Sequence, residues 1–198
     1  MLLSNLFFDK PNQLHKHSGF GLIELMVSVS IMVIVSGIIL SRQSSFNSAL
    51  LLRGQAYEIA LTMREVQINA VSSGNVIGGD VFRSILGMHF STNSSYNNRY
   101  TSFKDVNEND QYDSETDTSL SQQGVMDSRF YISRIEIDGI SHTEASVLFE
   151  RPNFDARFSI PGNEMLIYIK RVGSQVSDTG PGDLRIIEIT SIGQIDVK

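Results

Sequence analysis

The chain of 198 residues contains no cysteine. A disulfide framework and a thiolate metal site are both excluded, so any folded part must hold together by its own core. Positive charge is scarce as well. Sixteen Lys and Arg stand against 22 Asp and Glu, a net charge of −6, whereas dedicated nucleic-acid binders carry basic domains. Proline is missing between residues 12 and 151, which leaves room for a long uninterrupted helix. Enzyme signatures are absent too: there is no G-x-S-x-G, Walker loop, G-x-G-x-x-G or H-E-x-x-H. His89 and His142 are isolated and read as core or surface residues, so no catalytic residue is assigned and no enzyme is expected.

What the chain does have is a strong asymmetry. From Phe20 to Leu40 it runs 21 residues whose only charge is Glu24. About 20 apolar residues in a helix cross a ~30 Å hydrocarbon core, so this stretch is long enough to span a membrane. Residues 1–19 carry Lys10 and Lys16 against Asp9, a bias that leaves the N-terminus cytoplasmic and sends the bulk of the chain outward. A signal peptide would need a shorter apolar core and a small-residue cleavage site after it, and neither is present. A plain anchor leaves Glu24 unexplained, since an acid inside a span costs roughly 2.5–3.5 kcal/mol on insertion scales.

The stretch Gly19-Phe20-Gly21-Leu22-Ile23-Glu24-Leu25-Met26-Val27 closely resembles the processing signal of type IV pilins and type II secretion pseudopilins. The resemblance implies cleavage of the Gly19–Phe20 bond by a prepilin peptidase and N-methylation of Phe20. It also implies a structural role in a pilus or secretion pseudopilus. Expected partners are the peptidase, other pilin or pseudopilin subunits, membrane lipid and an inner-membrane assembly platform. Glu24 would pair with the Phe20 amine of a neighbouring subunit, where each charge relieves the other's desolvation. Ser41 stands where many type IV pilins have a proline, which leaves Gly37 beside Ser36 as the weak point of the apolar half.

The helical pattern continues past the apolar run. Ala49, Leu52, Ala56, Ile59, Met63, Val66 and Ala70 alternate in steps of three and four, the stripe of an amphipathic helix. Glu58, Arg64, Glu65 and Gln67 fall on the other faces, and Ser72-Ser73-Gly74 supplies a stop. One helix is therefore expected from about Gly21 to Val71, roughly 75 Å long. A coiled coil also fits the spacing, but packing on the protein's own sheet is preferred because the charges form no clear interhelical pairs. Within the family, the Ala56 to Gly74 pattern is similar to H-type minor pseudopilins and FimT-like minor pilins.

Beyond Val76 the texture changes to short β-prone runs. They are 81–89, 100–103, 130–138, 146–151, 156–160, 165–171, 184–190 and 194–197, separated by turns such as Asp138-Gly139 and Pro161-Gly162-Asn163. The expected fold is α+β: a long N-terminal helix packed on an antiparallel β-sheet head, which is also the pilin fold that the resemblance implies. The expected division is a leader over 1–19, a transmembrane or filament-core helix half over 20–41, and an amphipathic half over 42–73. The head covers 75–198 and contains an acidic loop over 104–127.

In that loop Asp105, Asn107, Asn109 and Asp113 stand at the first, third, fifth and ninth positions of a calcium-type loop, oxygen donors suited to a hard cation. Asp110 replaces the sharp-turn glycine and Thr116 replaces the closing glutamate, so a plain turn competes with a calcium site. The segment also resembles hairpins of H-type pseudopilin heads, which implies a turn.

Some FimT-like minor pilins take part in DNA uptake, so a membrane-anchored DNA-uptake or adhesion module is the alternative function. Arg151, Arg157, Lys170, Arg171 and Arg185 would have to gather on one face for DNA. Loss of the leader, whose Lys10, Lys16 and Asp9 sum to +1, leaves the mature chain at −7, a field that repels phosphate.

Overall fold

A computed structural model describes residues 21–72, 85–120, 124–175, 177, 179–180 and 182–198, with backbone alone for 41–46. Two compact units divide the chain, Met1–Arg42 and Gln43–Lys198.

Helix α1 runs from Leu22 to Val71 and passes Gly37 without a break. It ends where Ser72 N–H donates to the Ile68 carbonyl. Within Gln43–Lys198 the predicted stripe is the buried face: Leu52, Ala56, Ile59, Met63, Val66 and Ala70 are all buried, while Ala49 is only half-buried. Ala60 joins them because it flanks the same stripe one residue after Ile59.

Eleven strands follow among the described residues. Strands β1 (Ile85–Ser91), β2 (Arg99–Asp105), β3 (Thr118–Ser119), β4 (Gly124–Val125), β7 (Glu144–Phe149) and β8 (Ala156–Phe158) form one sheet. Its order is β3-β2-β1-β7-β8, with β4 also on β2. Strands β5 (Phe130–Ile137), β6 (Ile140–His142), β9 (Glu164–Arg171), β10 (Leu184–Thr190) and β11 (Ile195–Val197) form the second, in the order β11-β10-β9-β5-β6. Every pairing is antiparallel. The fold is thus α+β with antiparallel sheets on the amphipathic part of a long helix, the arrangement that the pilin resemblance implies.

The head has two sheets where one was expected, because the chain crosses between them three times. Strand runs alone carry no record of such crossings. The Asp138-Gly139 turn joins β5 to β6 with both residues at positive φ, 48° and 79°, as a two-residue type I′ hairpin demands. Strands β3, β4 and β6 were not anticipated; with two or three residues each, they are too short to show an alternation.

One core joins the three layers. The helix stripe meets Met88, Phe90, Val147 and Phe149 of the first sheet and Ile132, Ile167, Ile169 and Ile187 of the second. A smaller cluster of Ile85, Phe103 and Leu148, capped by Tyr112, lies on the opposite face of the first sheet. Gln67, expected on a solvated face, is instead buried. Its amide donates to the Phe154 and Gly193 carbonyls at 2.8 and 2.9 Å, which satisfies two acceptors that the sheet leaves over. Gly193 has φ +80°, and a Cβ there would stand 1.8 Å from the Phe154 carbonyl oxygen, so only glycine fits.

Candidate functional site

Gly19 and Phe20 lie outside the described residues. The segment that follows them is helical from its first turn: Leu25 N–H donates to the Gly21 carbonyl at 3.1 Å. Glu24 sits in that turn, where the helix dipole favours a negative charge. Ser28 and Ser30 donate their hydroxyls to the Glu24 and Met26 carbonyls at 2.7 and 2.8 Å. These two hydroxyls inside the apolar run are thereby satisfied by its own backbone, as a low-dielectric setting requires.

The stretch Leu22–Leu40 is long and apolar enough to cross a membrane, and none of it is buried. Leu22, Ile23, Met32 and Leu40 are all more than 65% exposed, and apolar residues point to every side. A helix that is hydrophobic all round needs an apolar environment or apolar partners. Among the described residues, no side chain partners the Glu24 carboxylate. The combination is an apolar rod that offers one acid near its start.

The acidic loop closes on itself. The Asp105 carboxylate, at the buried end of β2, accepts the N–H groups of Asn109 and Asp110 at 3.3 and 2.9 Å. The side-chain amides of Asn107 and Asn109 donate to Asp113 Oδ2 at 3.2 and 2.7 Å. Asp117 accepts from Val106 N–H and Asp113 N–H at 3.1 and 2.8 Å. Asp110 takes the left-handed backbone (φ 62°) that a glycine would otherwise supply, which Asp tolerates better than most residues. Its carboxylate also pairs with Arg157 of β8 at 2.9 Å. The four residues of the calcium reading are therefore brought together, but their oxygens receive the loop's own N–H bonds. Among the described residues, no group of three or more His, Asp or Glu is placed to hold a metal.

The five cations considered for DNA do not gather on one sheet. Arg157 belongs to the first sheet, whereas Lys170 and Arg171 lie on β9 and Arg185 on β10 of the second. Arg157 pairs with Asp110 and Glu150, and Arg171 pairs with Asp183. Lys170 is buried, with its ammonium on the Gln175 carbonyl.

His89 is less isolated than its sequence context suggested. Its Nδ1 lies 3.1 Å from Ser146 Oγ, and its ring is 5.1 Å from that of Tyr112. Burial pushes the imidazole below its ordinary pKa, against the opposing pull of Glu144. The available signal was alternation: His89 falls between the buried Met88 and Phe90 and so faces away from the core.

Residues 14–40 match the family described as the prokaryotic N-terminal methylation motif. The match takes in Gly19, Phe20, Glu24 and the apolar stretch, and stops short of the head. No curated protein and no solved structure matches the chain.

Proposed function

From the prokaryotic N-terminal methylation motif as premise, we propose that this chain is a structural subunit, a minor pilin or pseudopilin, of a type IV pilus or type II secretion pseudopilus. A prepilin peptidase cuts the Gly19–Phe20 bond and the new Phe20 amine is methylated. Before assembly the chain is a single-pass protein of the cytoplasmic membrane, with its N-terminus inside and residues 75–198 outside. Residues 20–41 then leave the lipid for the core of a filament, recruited through an inner-membrane platform that handles the other subunits. The role needs no catalysis by the chain itself.

The observation that carries this reading is the pairing of a motif for N-terminal methylation with a helix that is apolar on every side, unburied, and marked by one acid. Removing the apolar side chains from lipid gains little, because the filament core is equally apolar. What distinguishes the docked state is Glu24, costly alone and favourable beside a neighbour's amine, so it fixes the register between subunits.

Co-expression with a prepilin peptidase tests the processing: mass spectrometry is expected to find a chain that begins at methylated Phe20. Glu24→Leu is expected to keep insertion and cleavage while cross-links to neighbouring subunits are lost. Normal incorporation of that variant into filaments would sink the register idea. Cross-links absent from the unaltered chain would favour an anchored binding module instead.

For the acidic loop we propose a turn rather than a calcium site, because its carboxylates already accept N–H bonds from its backbone and amides. Millimolar calcium is expected to give no heat and no thermal shift. Saturable binding at one calcium per chain, lost in Asp105→Asn, would restore the metal reading.

A further inference from the structure

The outer face of the first sheet, opposite the core, carries a cavity of about 530 Å³, within the range of small-ligand sites. His89, Ser91, Thr101 and Glu144 form its floor. They share a face because His89 pairs with Thr101 and Ser91 with Glu144 across the ladder. Their neighbours Phe90, Tyr100 and Ala145 are buried on the other side. Tyr96, 56% exposed, lines the cavity from the β1–β2 turn, with the Arg99 guanidinium 5.6 Å from its ring centre. Tyr112 lines it from the acidic loop, its ring 5.1 Å from those of both His89 and Phe103. A second cavity of about 160 Å³ shares His89, Tyr112 and Glu144 with the first. Two tyrosine rings thus line the same space as a polar floor, and a second cavity shares part of that lining.

The lining chemistry narrows the ligand. Arg99 and Glu144 balance each other, and burial favours the uncharged form of His89, so the cavity has no excess charge with which to select a phosphate or an ammonium. An aliphatic ligand would cover Ser91, Thr101 and Glu144 without satisfying them, a cost that polar groups do not tolerate when desolvated. A peptide strand cannot add here, because β1 is already paired on both sides by β2 and β7 and strand addition needs an open edge. The remaining lining groups, including Asn93, Ser114 and Ser119, are hydroxyls and an amide that both donate and accept. Ligand hydroxyls match that double capacity, and the apolar C–H face of a sugar ring matches the face of a tyrosine.

We propose that this groove binds a neutral oligosaccharide, with sugar rings stacked on Tyr96 and Tyr112 and hydroxyls held between Arg99 and Glu144. The site lies wholly within Gln43–Lys198 and uses no residue of the methylation motif. It stands or falls apart from the filament reading, and it would let an outward-facing head hold glycan.

The test uses the full chain in a zwitterionic detergent free of sugar headgroups. Saturation-transfer NMR and calorimetry are run with maltohexaose, cellohexaose and chitohexaose, beside oligogalacturonate, single-stranded DNA and an unstructured peptide. At least one neutral hexasaccharide is expected to bind, with saturation transferred to its ring protons. Tyr96→Ala is expected to weaken that binding about tenfold or more, since an exposed ring can be removed without disturbing the core. Arg99→Met is expected to weaken it less, and Ile192→Ala, in the β10–β11 turn, to leave it unchanged. The proposal is overturned if no neutral sugar binds at about 10 mM, if Tyr96→Ala leaves binding intact, or if only the charged sugar, the DNA or the peptide binds.

Discussion

The stretches Leu22–Leu40 and Leu52–Ala70 belong to the same helix and solve the problem of apolar surface in opposite ways. In the second, the apolar residues form a stripe, and the stripe is buried against two sheets of the same chain. In the first they face every direction and none is buried. A stripe can be satisfied by one partner surface, and the chain supplies it. An all-round apolar surface cannot be covered by one sheet, so its partners must be lipid or other helices. The difference assigns stability to one stretch and interaction to the other.

The comparison is most directly broken by truncating one residue in each. Met63→Ala leaves a hole in the shared core and is expected to lower the stability of the head by about 2–5 kcal/mol in denaturant unfolding. Ile31→Ala is expected to leave that transition unmoved. Equal losses from both would mean that the apolar stretch also supports the head.

A smaller effect sharpens the polar side of the packed stretch. Gln67→Ala leaves the Phe154 and Gly193 carbonyls without their donor and is expected to cost about 1–3 kcal/mol. Arg64→Ala removes an exposed side chain whose guanidinium donates to the Ile195 carbonyl, and should cost less than about 1 kcal/mol. The reverse order would show that the buried amide is not what joins the helix to the two loops.

The smallest effect is a pH dependence confined to the head. With His89 held below its ordinary value of 6.5 by burial, the unfolded chain takes up a proton before the folded one does. The contribution of His89 to stability is therefore constant well above pH 6.5 and falls on acidification until the folded imidazole also protonates. Tm followed from pH 7.5 to 5 is expected to fall less steeply in His89→Gln, while Glu24→Gln, in the other stretch, leaves the slope as it is. A slope unchanged by His89→Gln would assign the acid sensitivity elsewhere.

How much was legible follows from the range of each interaction. The helix limits, its buried stripe, the Leu184–Thr190 strand and the Asp138-Gly139 turn depend on residues a few positions apart, so periodicity and turn chemistry revealed them. Gln67 was misplaced because polarity reads as exposure until the two carbonyls that need it, more than 80 residues away, are brought to it. The metal-type spacing at Asp105, Asn107, Asn109 and Asp113 was visible, but the sequence did not show which donors those oxygens would meet.

By itself, then, the sequence determined the local features: a methylation motif before an apolar run, an acid at a set distance from the motif's Phe20, an amphipathic stripe, and a head of short strands. Each is read within one or two helical turns or one strand, where spacing alone decides which side chains share a face. Only the tertiary structure decided that the strands divide into two interleaved sheets and that Gln67 is a buried link. It also placed Tyr96, His89, Tyr112 and Glu144 around one groove. These depend on which distant strands pair and in what register, and a shift of one residue would turn the strand residues His89 and Glu144 to the opposite face.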